Sequence, residues 1–203
     1  MRVLFLMLIC SIGAVKSQEL QQKGGQGGIF SLGVRSTFSL FNAHEDESNG
    51  LGLGGQFRIQ FADQVNSDWF FDYLKSDLGD YASRTDYHIG WSVLYYPLRT
   101  PSRLQPYILA GHCFDYTEIR SNFDRDNRDD RLSSAVQAGL GVHVNLTPRF
   151  DLSFVGQYMI HLGSELDAHY ENGALQFHEH GGSSMEGHLL FNVGINYKIA
   201  DLW

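Results

Sequence analysis

From about residue 28 onward, apolar and polar residues alternate with a period of two over most of the chain. In the first such segment Phe30, Leu32, Val34, Phe38 and Leu40 share one face, and Ser31, Gly33, Arg35, Thr37 and Ser39 share the other. In the second, Leu51, Leu53, Phe57, Ile59 and Phe61 oppose Gly52, Gly54, Gln56, Arg58 and Gln60. A helix repeats every 3.6 residues and cannot give this pattern, so both segments predict strands. Trp69, Phe71 and Tyr73 against Asp68, Phe70 and Asp72 mark a third. A fourth sets Tyr87, Ile89, Trp91, Val93 and Tyr95 against His88, Gly90, Ser92 and Tyr96. The fifth, around residues 105–117, leaves two parities open. Either Tyr107, Leu109 and Cys113 or Ile108, Ala110 and Phe114 share its apolar face.

The last three segments are clear. Val136, Ala138, Leu140, Val142, Val144 and Leu146 oppose Gln137, Gly139, Gly141, His143 and Asn145. Leu152, Phe154, Tyr158, Ile160 and Leu162 oppose Asp151, Ser153, Gln157 and His161. Leu189, Phe191, Val193, Ile195, Tyr197 and Ile199 oppose His188, Asn192, Gly194, Asn196 and Lys198, and Trp203 keeps the apolar parity. Eight segments make an even set, as a closed antiparallel barrel requires. The connections 42–50, 76–84, 119–133 and 163–184 are polar and read as long. Those near Gln64, Arg99 and Thr147–Arg149 read as short. The predicted fold is all-β: an eight-stranded, up-and-down transmembrane β-barrel over residues 28–203, with long loops at one end and short turns at the other. Both termini then fall on the periplasmic side.

Alternation alone also suits a soluble, lipocalin-like barrel that holds a ligand inside an apolar lumen. The bulk of the two faces favours the membrane reading. The apolar face carries Leu, Ile, Val and Phe in mid-strand, with Trp69, Tyr87, Tyr197 and Trp203 towards strand ends, as at a bilayer interface. The polar face is small and mixed, which suits a narrow lumen filled by side chains. Charges there must pair. Arg35, Arg58, Asp72, Asp151, His161, Glu186, His188 and Lys198 are read as a lumen polar cluster, in which Arg35, Arg58 and Lys198 meet acidic partners.

Residues 1–17 read as a signal peptide. Arg2 precedes an apolar run of about 11 residues, too short for a spanning helix, and cleavage is placed after Ser17. Ile9 before Cys10 does not suit a lipoprotein signal, which needs a small residue there. Residues 18–27 form a Gln- and Gly-rich flexible lead-in. The chain carries a net charge of −8, which argues against nucleic acid. Loss of Cys10 leaves Cys113 alone, so no internal disulfide is expected.

The signal segment, the eight alternating segments and the final stretch Phe191–Trp203 resemble the small outer-membrane barrels of the OmpA/OmpX type. The resemblance implies location in the outer membrane of a Gram-negative-type bacterium, contact with outer-membrane lipid, and recognition of the last strand by the barrel-assembly machinery through Tyr197, Ile199 and Trp203. Asp201 departs from the usual apolar residue.

Little in the chain points to chemistry. His178, Glu179 and His180 could ligate zinc, but sit in a Gly-rich loop without readable geometry. His161 and Ser164 could form the base and nucleophile of a lipid A deacylase-like hydrolase at the outer rim, although residues three apart on a strand face opposite ways. The Asp124, Asp126, Asp129 and Asp130 loop lacks an EF-hand's ligand order, and Arg125, Arg128 and Arg131 neutralise it. No cofactor is implied. The favoured reading is a non-enzymatic envelope barrel with a structural role, or one that meets a surface partner through loops 119–133 and 163–184.

Overall fold

The computed structural model describes residues 27–41, 49–98, 102–124, 126–163, 165–171, 174–180 and 187–203. The signal segment, most of the lead-in, Ser164 and Glu186 lie outside them. The described residues form β1 (Ile29–Phe41), β2 (Gly50–Ala62), β3 (Val65–Leu78), β4 (Ala82–Tyr95), β5 (Leu104–Ser121), β6 (Arg128–Asn145), β7 (Phe150–Leu162), β8 (Glu165–Glu171), β9 (Ala174–His180) and β10 (Gly187–Asp201).

Eight of these close into an antiparallel barrel in the order β1-β10-β7-β6-β5-β4-β3-β2. Every pair except the closing one joins strands next to each other along the barrel path. Closure is by β1 on β10, with Val34 opposite Ile195 and Phe38 opposite Phe191. β8 and β9 form a separate two-stranded hairpin. No described residue is helical, so the described residues hold no helix that could cross a membrane.

The alternation is realised with the apolar row outside. Val34, Leu53, Ile89, Leu140 and Val193 are exposed, whereas Arg35, Asp72, Asp151 and Asn196 are buried in the lumen. This arrangement is the inverse of a lipocalin-like barrel. The open parity of β5 resolves with Ile108 and Phe114 outside and Tyr107, Leu109 and Cys113 inside.

Two connections read as long are short. β3 and β4 run on to leave only 79–81 between them, and β5 and β6 leave only 122–127. The reason lies in the outward residues. Past Tyr73 and Tyr116 they turn from apolar to charged, with Lys75 and Asp77 on β3 and Glu118 and Arg120 on β5. The sequence pattern therefore looks like loop while the backbone ladder continues. Outward charges even pair along it, with Arg120 Nη2 2.6 Å and Arg128 Nη1 3.5 Å from the Glu118 carboxylate. Gly79 takes the left-handed conformation (φ 51°) that the tight β3–β4 turn needs. The fourth long connection contains the β8–β9 hairpin.

The opposite end is knit together by main-chain bonds. Tyr96 N donates to Gln64 O (2.9 Å), Asn145 N to Arg103 O (2.8 Å), and Leu202 N to Gly28 O (2.8 Å). Both described termini lie at this short-turn end.

Candidate functional site

An eight-stranded lumen is just wide enough for side chains to fill, and here they fill it in layers. Nearest the short turns, Arg58 reaches from β2 to Asp151 on β7, Nη2 to Oδ2 2.7 Å. Its Nη1 donates to His143 Nε2 at 2.9 Å. The Tyr96 hydroxyl lies 2.9 Å from the same nitrogen, and Ser153 Oγ lies 2.8 Å from Nδ1, so both ring nitrogens have polar partners. Asn196 Nδ2 donates to Asp151 Oδ1 and Ser153 Oγ, each at 2.9 Å. Tyr96 closes the layer, receiving a bond from Asn66 Nδ2 at 2.7 Å. Lys198 Nζ donates to the Asn145 amide oxygen at 3.1 Å, so a neutral partner stands where an acid was expected.

Next, Arg35 on β1 forks onto Asp72 on β3. Nε lies 2.6 Å from Oδ1, and Nη2 meets Oδ2. The guanidinium also stacks 4.1 Å over the Phe70 ring. An apolar layer follows, made of Phe70, Leu74, Cys113, Ala135, Met159 and Leu190. Two cavities of about 20 Å³ each remain among the lower layers, room for little more than a water apiece.

Above the apolar layer Asp115 on β5 is a hub. His88 Nε2 on β4 lies 3.2 Å away, His161 Nδ1 on β7 3.1 Å, and Arg131 Nη2 on β6 3.7 Å. The Thr117 hydroxyl, with one proton to give, lies 2.7 Å from Asp86 Oδ1 and 3.2 Å from Asp115 Oδ2, linking the two carboxylates. His188 on β10 lies against His161 with ring centroids 4.5 Å apart. His161 and His188 therefore meet ring to ring, and it is His88 and His161 that converge on Asp115, a carboxylate that sequence reading missed. His161 is 2% exposed and points into the lumen, away from the rim where a bound acyl lipid would have to be attacked.

The mouth is capped. Leu175 on β9 packs with Leu78, Ala82 and Ile119, and Tyr81, Ala168 and Phe177 join them. Asn127 Nδ2 donates to the Leu175 carbonyl at 3.1 Å, tying the β5–β6 tip to the hairpin. His178, Glu179 and His180 lie on the backbone of β9, and their side chains are outside the described set. Leu175→Asp would place a charge in this apolar cluster and cost about 3 kcal/mol locally, roughly a hundredfold in the open population. Protease cleavage within 165–180 should quicken accordingly while heat-modifiable gel mobility stays. Unchanged cleavage would show that Leu175 does not hold the hairpin.

Outside the barrel, aromatic rings line up across strands. Phe57 stacks on Trp69 at 5.9 Å, and Trp69 lies 6.4 Å from Trp91. Towards the mouth, Tyr73, Tyr87 and Tyr116 make a second row, with centroids 5.3 and 6.0 Å apart. At the short-turn end Tyr197 lies 4.8 Å from Phe150 and accepts a 2.9 Å bond from Arg149 Nη1. Ile199 and Trp203 are exposed on the same outer side. Aromatic rows flanking an apolar exterior are the mark of a barrel set in a bilayer.

A model of the family described as the outer membrane protein beta-barrel domain matches residues 3–198. The chain belongs to that family. Solved outer-membrane barrels share the fold at low identity. Neisserial surface protein A is 14% identical, with a TM-score of 0.58, covering 87% of this chain and 100% of its own. OprG from Pseudomonas aeruginosa is 16% identical, with a TM-score of 0.55 over 87% of this chain and 98% of its own. Ail, the attachment invasion locus protein of Yersinia pestis, is 12% identical, with a TM-score of 0.53 over 86% of this chain and 99% of its own. Comparison with curated proteins gives no match. As an outer-membrane barrel, the chain turns its apolar exterior to lipid and buries its charges along the axis.

Proposed function

We propose that this outer-membrane barrel is not an enzyme or a pore, and that it acts through its mouth end as a structural or surface-interaction protein. The observation that carries the reading is the filled lumen, in which Arg35–Asp72, Arg58–Asp151 and the Asp115 cluster are stacked around an apolar layer. The mouth end, by contrast, stands far out. β5 and β6 have 18 residues each. At about 3.4 Å per residue and a tilt of about 40°, they rise about 45 Å, well beyond an apolar band of about 25 Å. Charged side chains on the outward row above Tyr116 fit water rather than lipid. The surface offered to a partner is the β5–β6 tip together with the β8–β9 hairpin, inside the loops 119–133 and 163–184.

In this reading residues 1–17 are removed on export, the mouth faces the cell exterior, and the barrel-assembly machinery reads Tyr197, Ile199 and Trp203. Ail, named for attachment and invasion, illustrates the class of role. The orientation is tested with intact cells. Arg128, with 57% of its side chain exposed, should be cut by added trypsin. Cleavage only after the outer membrane is permeabilised would reverse the topology.

The closed lumen is tested in planar bilayers. The purified protein should give no steady conductance above that of the empty membrane, because stacked ion pairs and the apolar layer fill the lumen among the described residues. A reproducible open channel would overturn the reading. The hydrolase alternative is tested by mass spectrometry of the host's lipid A, which should be identical with the wild-type chain, His161→Ala and Ser164→Ala.

A further inference from the structure

The lipid-facing surface between the tyrosine row and the short-turn end breaks its own rule at one place. His112 on β5 and Ser134 on β6 both project outward, and His112 Nε2 lies 2.6 Å from Ser134 Oγ. Among the described residues, His112 is the one histidine, lysine, arginine, aspartate or glutamate on this part of the exterior. The setting is apolar. The imidazole stands edge-on to Phe114 at 5.0 Å and 82°. Trp91 and Val136 are the cross-strand neighbours of His112, and Phe114 and Leu162 are those of Ser134.

A polar side chain facing hydrocarbon is costly unless its bonds are made, and an ionisable one inside a membrane span marks a site. Ser36, also outward, meets that cost by donating to the Gly52 backbone at 3.2 Å. The His112–Ser134 bond satisfies one ring nitrogen. The other, Nδ1, makes no hydrogen bond among the described residues, and a neutral imidazole presents one donor and one acceptor. His112 lies four residues and Phe114, the partner of Ser134, two residues below Tyr116 on β5. At strand rise and barrel tilt, that puts the pair about 5–10 Å below the tyrosine row. Just under the headgroups, the polar atoms a bilayer supplies are the carbonyl oxygens that join acyl chains to the headgroup.

We propose that His112 and Ser134, framed by Trp91 and Phe114, form a binding site for the acyl-ester carbonyl of a membrane lipid. The imidazole or the hydroxyl donates to that carbonyl, and the two flanking rings hold the first methylenes of its chain. Placement in the outer leaflet rests on the orientation proposed above, whereas the ester recognition does not. The same two side chains are the nucleophile–base half of an ester-cleaving set. No acid orients the ring through Nδ1 among the described residues, so the site holds its ester rather than cleaving it.

The test compares nanodiscs made of a diacyl ester phosphatidylcholine with nanodiscs of its dialkyl ether analogue, which lacks the carbonyls. The histidine ¹⁵N resonances of His112 should differ between the two and converge in Ser134→Ala. In native mass spectrometry, His112→Leu should retain at least fivefold less ester lipid than wild type. Leucine is the ordinary residue on this face, so the variant barrel folds, which its heat-modifiable mobility verifies. Identical His112 resonances in ester and ether discs would overturn the proposal. So would equal lipid retention, or a dimer that His112→Leu disperses, which would make the pair a contact between two copies. Loss of an acyl chain from the ester lipid would replace binding by hydrolysis.

Discussion

Replacing Asp72 with Ala is expected to cost the barrel about 3–5 kcal/mol of unfolding free energy, the usual result of stranding a buried charge. Arg35 is 6% exposed and Asp72 not exposed at all, and the pair is a two-bonded fork across the lumen. Without the carboxylate, the guanidinium keeps only the face of Phe70. The cavity that Arg35 itself lines is about 20 Å³, room for little more than one water, so the freed guanidinium is rehydrated only in small part. Urea titration of the protein folded into liposomes measures the loss. The double variant Arg35→Met with Asp72→Leu should recover most of it, because swapping a whole buried ion pair for apolar bulk is close to neutral. A cost below about 1 kcal/mol for Asp72→Ala would mean that water reaches Arg35, and would undo the picture of a dry, closed lumen.

The barrel itself was readable because lipid imposes one strict demand. Outward residues in the bilayer are apolar with few exceptions, so β1, β2, β4, β6, β7 and β10 declare their parity through runs such as Leu51–Phe61 and Leu189–Ile199. β5 did not, and the reason lies inside. Its inward residues Tyr107, Leu109 and Cys113 belong to apolar parts of the lumen. Both faces of that strand are therefore apolar in mid-span, and period two loses its contrast. The same ambiguity hid Asp115, which shares the parity of Cys113. His88 and His161 were assigned to the inner face from sequence, but without Asp115 they had no visible centre. His112 was obscured for the same reason: with parity open, its outward position could not be recognised as an anomaly.

The strand ends failed differently. Once β3 to β6 leave the membrane, water faces their outer row and the selection for apolar residues ends. Glu118, Arg120 and Arg128 then look like loop, although they sit on a continuous ladder. The hairpin in the last connection shows the same effect. Leu175 and Phe177 face the mouth, a second apolar surface that no membrane-spanning pattern foretells.

Asp115 bears the second large effect. Asp115→Ala should cost about 3–5 kcal/mol in the same urea titration, because His88, His161 and Arg131 all lose the carboxylate they face. Asp115→Asn keeps one acceptor oxygen and the side chain's volume, so its cost should fall to about 1–3 kcal/mol. His161→Ala should cost less again, about 1–2 kcal/mol, since Asp115 retains His88, Thr117 and Arg131. The order, rather than any single value, carries the test. A hub and its satellites respond unequally, whereas a row of independent contacts would give losses of similar size. If His161→Ala proved as costly as Asp115→Ala, the layer would be organised around the imidazole instead. His161 would then be the residue to pursue for a role beyond holding the barrel shut.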